Sequence, residues 1–175
     1  QILSLKDELS KANAELTVAQ AEIARLNNEM TAKNSKAEDL RIIKSYLDRL
    51  DSPVNRFKTG ISYRDFSGVH AQILEVITQY GREDVADKYP DILKSMGGMK
   101  LDLDTISFVY SKKFGGVGGL KEFISVPDSV IDKYDPNPKF NSDYGWYADH
   151  LLGLIFGSLT SNSDDLWTAY QKYRN

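Results

Sequence analysis

The sequence predicts an all-α protein in which a long N-terminal coiled-coil helix, residues 1–51, is followed by a small multi-helix globular domain, residues 52–175. Three observations carry this expectation. Residues 1–45 contain no aromatic, glycine or proline, whereas all 19 aromatics and all 12 glycines of the chain lie beyond them. Within that stretch apolar residues recur with a period of seven. Further on, they recur three and four apart between glycine and proline breaks, which is the spacing of helix faces.

The heptad is explicit. Ile2, Leu9, Leu16, Ile23, Met30 and Ala37 form the a positions, and Leu5, Ala12, Ala19, Leu26, Lys33 and Leu40 the d positions. A strict seven-residue repeat implies a left-handed supercoil. The seam residues expected to drive oligomerisation are Leu5, Leu9, Leu16, Ile23 and Leu26. After Leu40 the stripe continues as Ile43, Leu47, Leu50, Val54 and Phe57, one residue out of phase, so its partner or its face changes there. A helix over residues 2–51 is about 75 Å long at 1.5 Å per residue. The later segment is too small to cover its apolar edge, and another copy of the chain is the natural cover. Orientation follows from the flanks, where Glu8, Glu15, Glu22 and Glu29 stand at g positions and Asn13, Gln20, Asn27 and Asn34 at e. An antiparallel pair sets glutamate against glutamate, while a parallel pair sets glutamate against amide, so a parallel dimer or trimer is expected.

The boundary is expected at Asp51-Ser52-Pro53, read as a helix-ending turn. Ser62 with Asp65 marks the next helix start, and Phe66, Val69, Ile73, Val76, Ile77 and Tyr80 trace its face until Gly81. Pro90 to Met96 suggests a helix closed by Gly97-Gly98, and residues 102–113 another. Pro127 opens a short helix carrying Val130, Ile131 and Tyr134, before Asp135-Pro136-Asn137-Pro138 breaks the chain. Tyr147, Leu151, Leu154, Ile155 and Leu159 form a helix in which Gly153 and Gly157 permit close approach of a neighbour. Asn162 or Ser163 is read as capping the last helix, with Leu166, Trp167, Tyr170 and Tyr173 packing.

Composition narrows the chemistry. At 175 residues the chain fits one core, and 41% apolar with 27% charged residues is the balance of a folded protein. A net charge of −3 supplies no polyanion-binding surface, so nucleic acid is not an expected partner. The absence of cysteine excludes disulfides, thiolate metal sites and cysteine nucleophiles. No run reaches the ~20 apolar residues of a membrane span. Attachment to a membrane is expected only through a segment preceding Gln1, which would place the protein outside the cytoplasm at an envelope.

Motif by motif, catalytic signals are weak. His70 and His150 each lie within an apolar face without a second ligand at metal spacing, and read as packing histidines. The Gly115–Gly119 run lacks the Gly-Lys-Ser/Thr ending of a phosphate loop and reads as a connector. Asp102 and Asp104 resemble the start of a calcium loop, but Ser107 stands where glycine is needed, so they read as helix-start carboxylates. Asp135, Asn137, Asn141 and Asp143 match no known ligand spacing and suit an ordinary turn. No catalytic residue, metal site or cofactor is therefore assigned. Trp146, Tyr147 and Trp167 are the candidates for partner contact, set against the core that a domain this size must fill. The leading expectation is a structural or interaction protein that oligomerises a helical head for an unknown protein partner. A second is a helical domain binding a small ligand or peptide around Gly153 and Gly157, and a third is a hydrolase using carboxylates and His150.

Overall fold

The computed structural model describes residues 1–114, 128–135 and 144–175, with the side chains of 112–114, 128, 130, 131 and 144–147 outside that description. Among the described residues the chain is all-α: α1 (Ile2–Asn55), α2 (Tyr63–Gly81), a 3-10 turn (Asp84–Lys88), α3 (Pro90–Phe114), α4 (Asp128–Tyr134) and α5 (Tyr144–Arg174). The Pro127 helix start, the Gly115–Gly119 run and Asn137, Asn141 and Asp143 lie outside the described residues.

Two compact units divide the chain, Gln1–Arg41 and Ile42–Asn175. The first is the N-terminal part of α1, in which residues 1–38 are all exposed. Its surface carries helix-spaced ion pairs, with Arg25 bridging Glu22 and Glu29 and Arg41 meeting Glu38.

The second unit begins at Ile42, where the out-of-phase stripe is buried. Ile43, Leu47, Leu50 and Val54 are all buried. Asp51-Ser52-Pro53 does not end the helix as expected, since α1 runs through Pro53 to Asn55. Proline removes one N–H, and here it does so a residue or two from a terminus that closes anyway through Phe57 N to Val54 O. Gly60, at φ +84°, makes the left-handed turn into α2. Ser62 caps α2 as its sequence indicates, accepting from the Asp65 N–H and donating to the Asp65 carboxylate.

The principal pairing is α3 against α5, and both are longer than expected. Gly97-Gly98 does not close a helix, because α3 carries one uninterrupted buried stripe of Ile92, Met96, Met99, Leu103, Ile106 and Val109. Asn162 and Ser163 likewise cap nothing. They lie inside α5 on the stripe that runs from Leu151, Ile155 and Leu159 to Leu166 and Tyr170. Burial of these facing stripes outweighs the roughly 1 kcal/mol that each interior glycine costs a helix. Gly98 also has a positive role, since a Cβ there would stand 2.9 Å from Asn162 Nδ2 and Oδ1. The close approach expected at Gly153 and Gly157 is not seen among the described residues, where a Cβ added at either would meet nothing within 4 Å.

Candidate functional site

The seam residues of the first unit lie open to solvent: Leu5, Leu9, Leu16, Ile23 and Leu26 are 47–63% exposed, and Ile2 and Met30 are also exposed. A helix places i, i+3 and i+7 on one face, so these side chains form a continuous apolar strip along α1. Its flanking glutamates are partly neutralised from the c position, where Arg25 donates to both Glu22 and Glu29 at the g positions. The guanidinium beside Glu22 lowers that carboxyl below its ordinary range.

The second unit is built around a buried carboxylate that sequence reasoning misplaced. Asp102 is no helix-start residue. It sits inside α3, 1% exposed, between fully buried Met99 and Leu103. Three side chains donate to it: Tyr134 OH of α4 to Oδ1 at 2.6 Å, and Ser158 Oγ and Asn162 Nδ2 of α5 to Oδ2 at 2.9 and 2.8 Å. Burial pushes the Tyr134 hydroxyl above the ordinary tyrosine range, reinforced by its hydrogen bond to Asp102. With three donors on its oxygens the carboxylate is an acceptor held in place, and it ties three helices together. The signal was present in the sequence, since Asp102 occupies the stripe position between Met99 and Ile106 and a charge there has to be paired. Asp104, two residues on, is exposed.

Around this core the described residues line several cavities. One of about 560 Å³ between α3 and α5 is lined by Asp91, Lys94, Ser95, Gly98, Asn162, Asp165, Thr168, Ala169 and Lys172. A second, of about 600 Å³, opens over Gly153 and Gly157, with Phe57, Phe156, Lys58, Asp149 and Asp164 among its walls. A third, of about 200 Å³, lies between α2 and α3 and is lined by Tyr63, Phe66, Ser67, His70, Ser107, Tyr110 and Ser111.

The histidines separate. His70 stacks on Phe66 at 5.2 Å, and its Nε2 is buried without a hydrogen-bond partner among the described residues. His150 is not packed among apolar side chains as expected: its side chain is 42% exposed, and its Nε2 stands 3.8 Å from Asp135 Oδ2. Of the three partner-contact candidates, Trp167 is half-buried and edge-on to Tyr170, while the side chains of Trp146 and Tyr147 lie outside the described residues. Among the described residues no group of three or more histidines and carboxylates could hold a metal ion, and no helix is long and apolar enough to cross a membrane. Comparison with known proteins returns no match to any family model, curated protein or solved structure.

Proposed function

We propose that the chain is a structural or interaction protein that self-associates through residues 2–40 as a parallel coiled coil and so presents several copies of its helical head. One observation carries this reading: the strip of Leu5, Leu9, Leu16, Ile23 and Leu26 is apolar, in heptad register and exposed. Large contiguous apolar surfaces on folded chains mark association sites. The occupant argued for is a second copy in parallel, because its asparagines and glutamine at e then meet the g-position glutamates. Joining heads raises the effective concentration of each further contact with a shared target. Replacing Leu9 and Leu16 by Ser is expected to give monomers by light scattering with the head still folded. An unchanged mass defeats the reading.

A second reading, ligand or peptide binding by the head, is favoured by the cavity over Gly153 and Gly157, where two glycines leave open space beside Phe57 and Phe156. Filling it with Gly153→Leu and Gly157→Leu separates the two: loss of target binding at unchanged oligomer mass supports head recognition, and unchanged binding removes it.

A further inference from the structure

Layer by layer, the d positions of the α1 seam restrict how many strands it can join. Where both seam positions hold a full-sized side chain, the pairs are Ile2 with Leu5 and Ile23 with Leu26, isoleucine at a and leucine at d. A β-branched residue at a with leucine at d favours two strands, whereas isoleucine at d favours three or four. No d position from Leu5 to Leu40 is β-branched.

The layers between these point the same way for a different reason. Leu9 and Leu16 at a are followed by Ala12 and Ala19 at d. Packed helix axes stand about 8–10 Å apart, which puts each about 4–5 Å from the centre of a pair and about 5–6 Å from the centre of a triplet. Two helices close on an alanine layer by moving together. Three enclose a wider centre that alanine methyls leave void, and an unfilled core is destabilising.

Lys33 adds a third sign. It holds the d position between Met30 and Ala37 and is exposed, and the carboxylate one turn before it, Glu29, is held by Arg25. In a pair the d layer stays open to water at its flanks, so the lysine stem lies along the seam with its ammonium solvated. In a triplet three ammonium groups converge on a more enclosed axis, at a desolvation cost that leucine would not incur.

We propose that the seam joins two chains and no more, as a parallel pair in register, so that the assembly presents two heads. This rests on self-association through α1 and sets its stoichiometry.

The test is sedimentation equilibrium of the whole chain from micromolar concentrations upward, with tryptophan fluorescence reporting a folded head. A plateau at twice the 19.7 kDa chain mass is expected. Because the chain has no cysteine, Gln1→Cys gives one thiol per chain, and oxidation is expected to cross-link the parallel pair through it. Ala12→Ile, Ala19→Ile and Lys33→Ile together put isoleucine at d in heptads whose a position is leucine or methionine, and are expected to raise the plateau to three or four chains. A wild-type plateau at three or four chains overturns the stoichiometry and leaves self-association standing, whereas a monomer at every concentration overturns both. Failure of Gln1→Cys to cross-link within a two-chain assembly overturns the parallel pairing. A triple variant that stays at two chains overturns the argument from the d layers.

Discussion

Adjacent glycines in α3 should respond to alanine with opposite signs. Both lie inside the helix, where alanine is favoured over glycine by about 1 kcal/mol. At Gly97 nothing among the described residues stands within 4 Å of the new Cβ, so Gly97→Ala is expected to stabilise the head by about that amount. At Gly98 the same methyl meets Asn162 Nδ2 and Oδ1 at 2.9 Å and its Cγ at 3.0 Å. Asn162 cannot simply swing away, because its amide donates to the buried Asp102 carboxylate at 2.8 Å. Losing a hydrogen bond to a charged acceptor costs about 1.5–3 kcal/mol. The net for Gly98→Ala is thus a loss of about 0.5–2 kcal/mol, and the two variants should differ by about 1.5–3 kcal/mol. Urea unfolding followed by tryptophan fluorescence reads this directly, since Trp146 and Trp167 both belong to α5 and residues 1–45 have no aromatic. In an Asn162→Ala background the obstruction is gone and Gly98→Ala should stabilise as Gly97→Ala does. Equal midpoints for the two glycine variants in the native background would refute the packing argument, and so would a double-mutant coupling near zero.

Asp102→Ala orphans the donors on Tyr134, Ser158 and Asn162 together and is expected to destabilise the head by at least about 3 kcal/mol in the same urea assay, with Asp102→Asn intermediate because it retains one acceptor oxygen. Burial raises the Tyr134 and Tyr110 hydroxyls above their ordinary range, so the native state keeps protons that the unfolded chain releases above pH ~10. The contribution of these two hydroxyls to head stability should be constant below that pH and fall above it, and Tyr134→Phe should make the alkaline fall shallower.

Part of this architecture can be read directly from the residues, and the part that cannot has physical causes. The heptad, the α2 start at Ser62 and its end at Gly81 are local signals: capping and periodicity act within a few residues and survive in any context. Gly97-Gly98, Pro53 and Asn162-Ser163 are local breakers or caps overridden by a partner element. Gly98 is small because Asn162 comes close, and Asn162 is polar because Asp102 lies opposite. Each makes sense only once α3 and α5 are paired, and that pairing joins residues 60 apart in sequence. Asp102 shows the same limit. Its place on an apolar stripe signals burial, but its partners on α4 and α5 are too distant for spacing to reveal.

The same distinction bears on α1, whose two parts follow different rules despite being one helix. From Ile43 onward, burial in its own chain holds the helix. Residues 2–38 have no such support, and isolated helices depend on propensity alone and are marginal in water. The remaining exposed half of a leucine or isoleucine is worth roughly 1 kcal/mol when buried. Five seam residues then supply about 5 kcal/mol per chain, which is comparable to the stability of a small domain. If association provides that cover, helix formation over the seam and self-association are one equilibrium. Dilution should then lower far-ultraviolet ellipticity together with mass, while tryptophan fluorescence, confined to the head, stays constant. Ellipticity independent of concentration in a chain that sediments as a monomer would mean that the seam is helical without cover, and the argument that exposed leucines demand a second copy would fail.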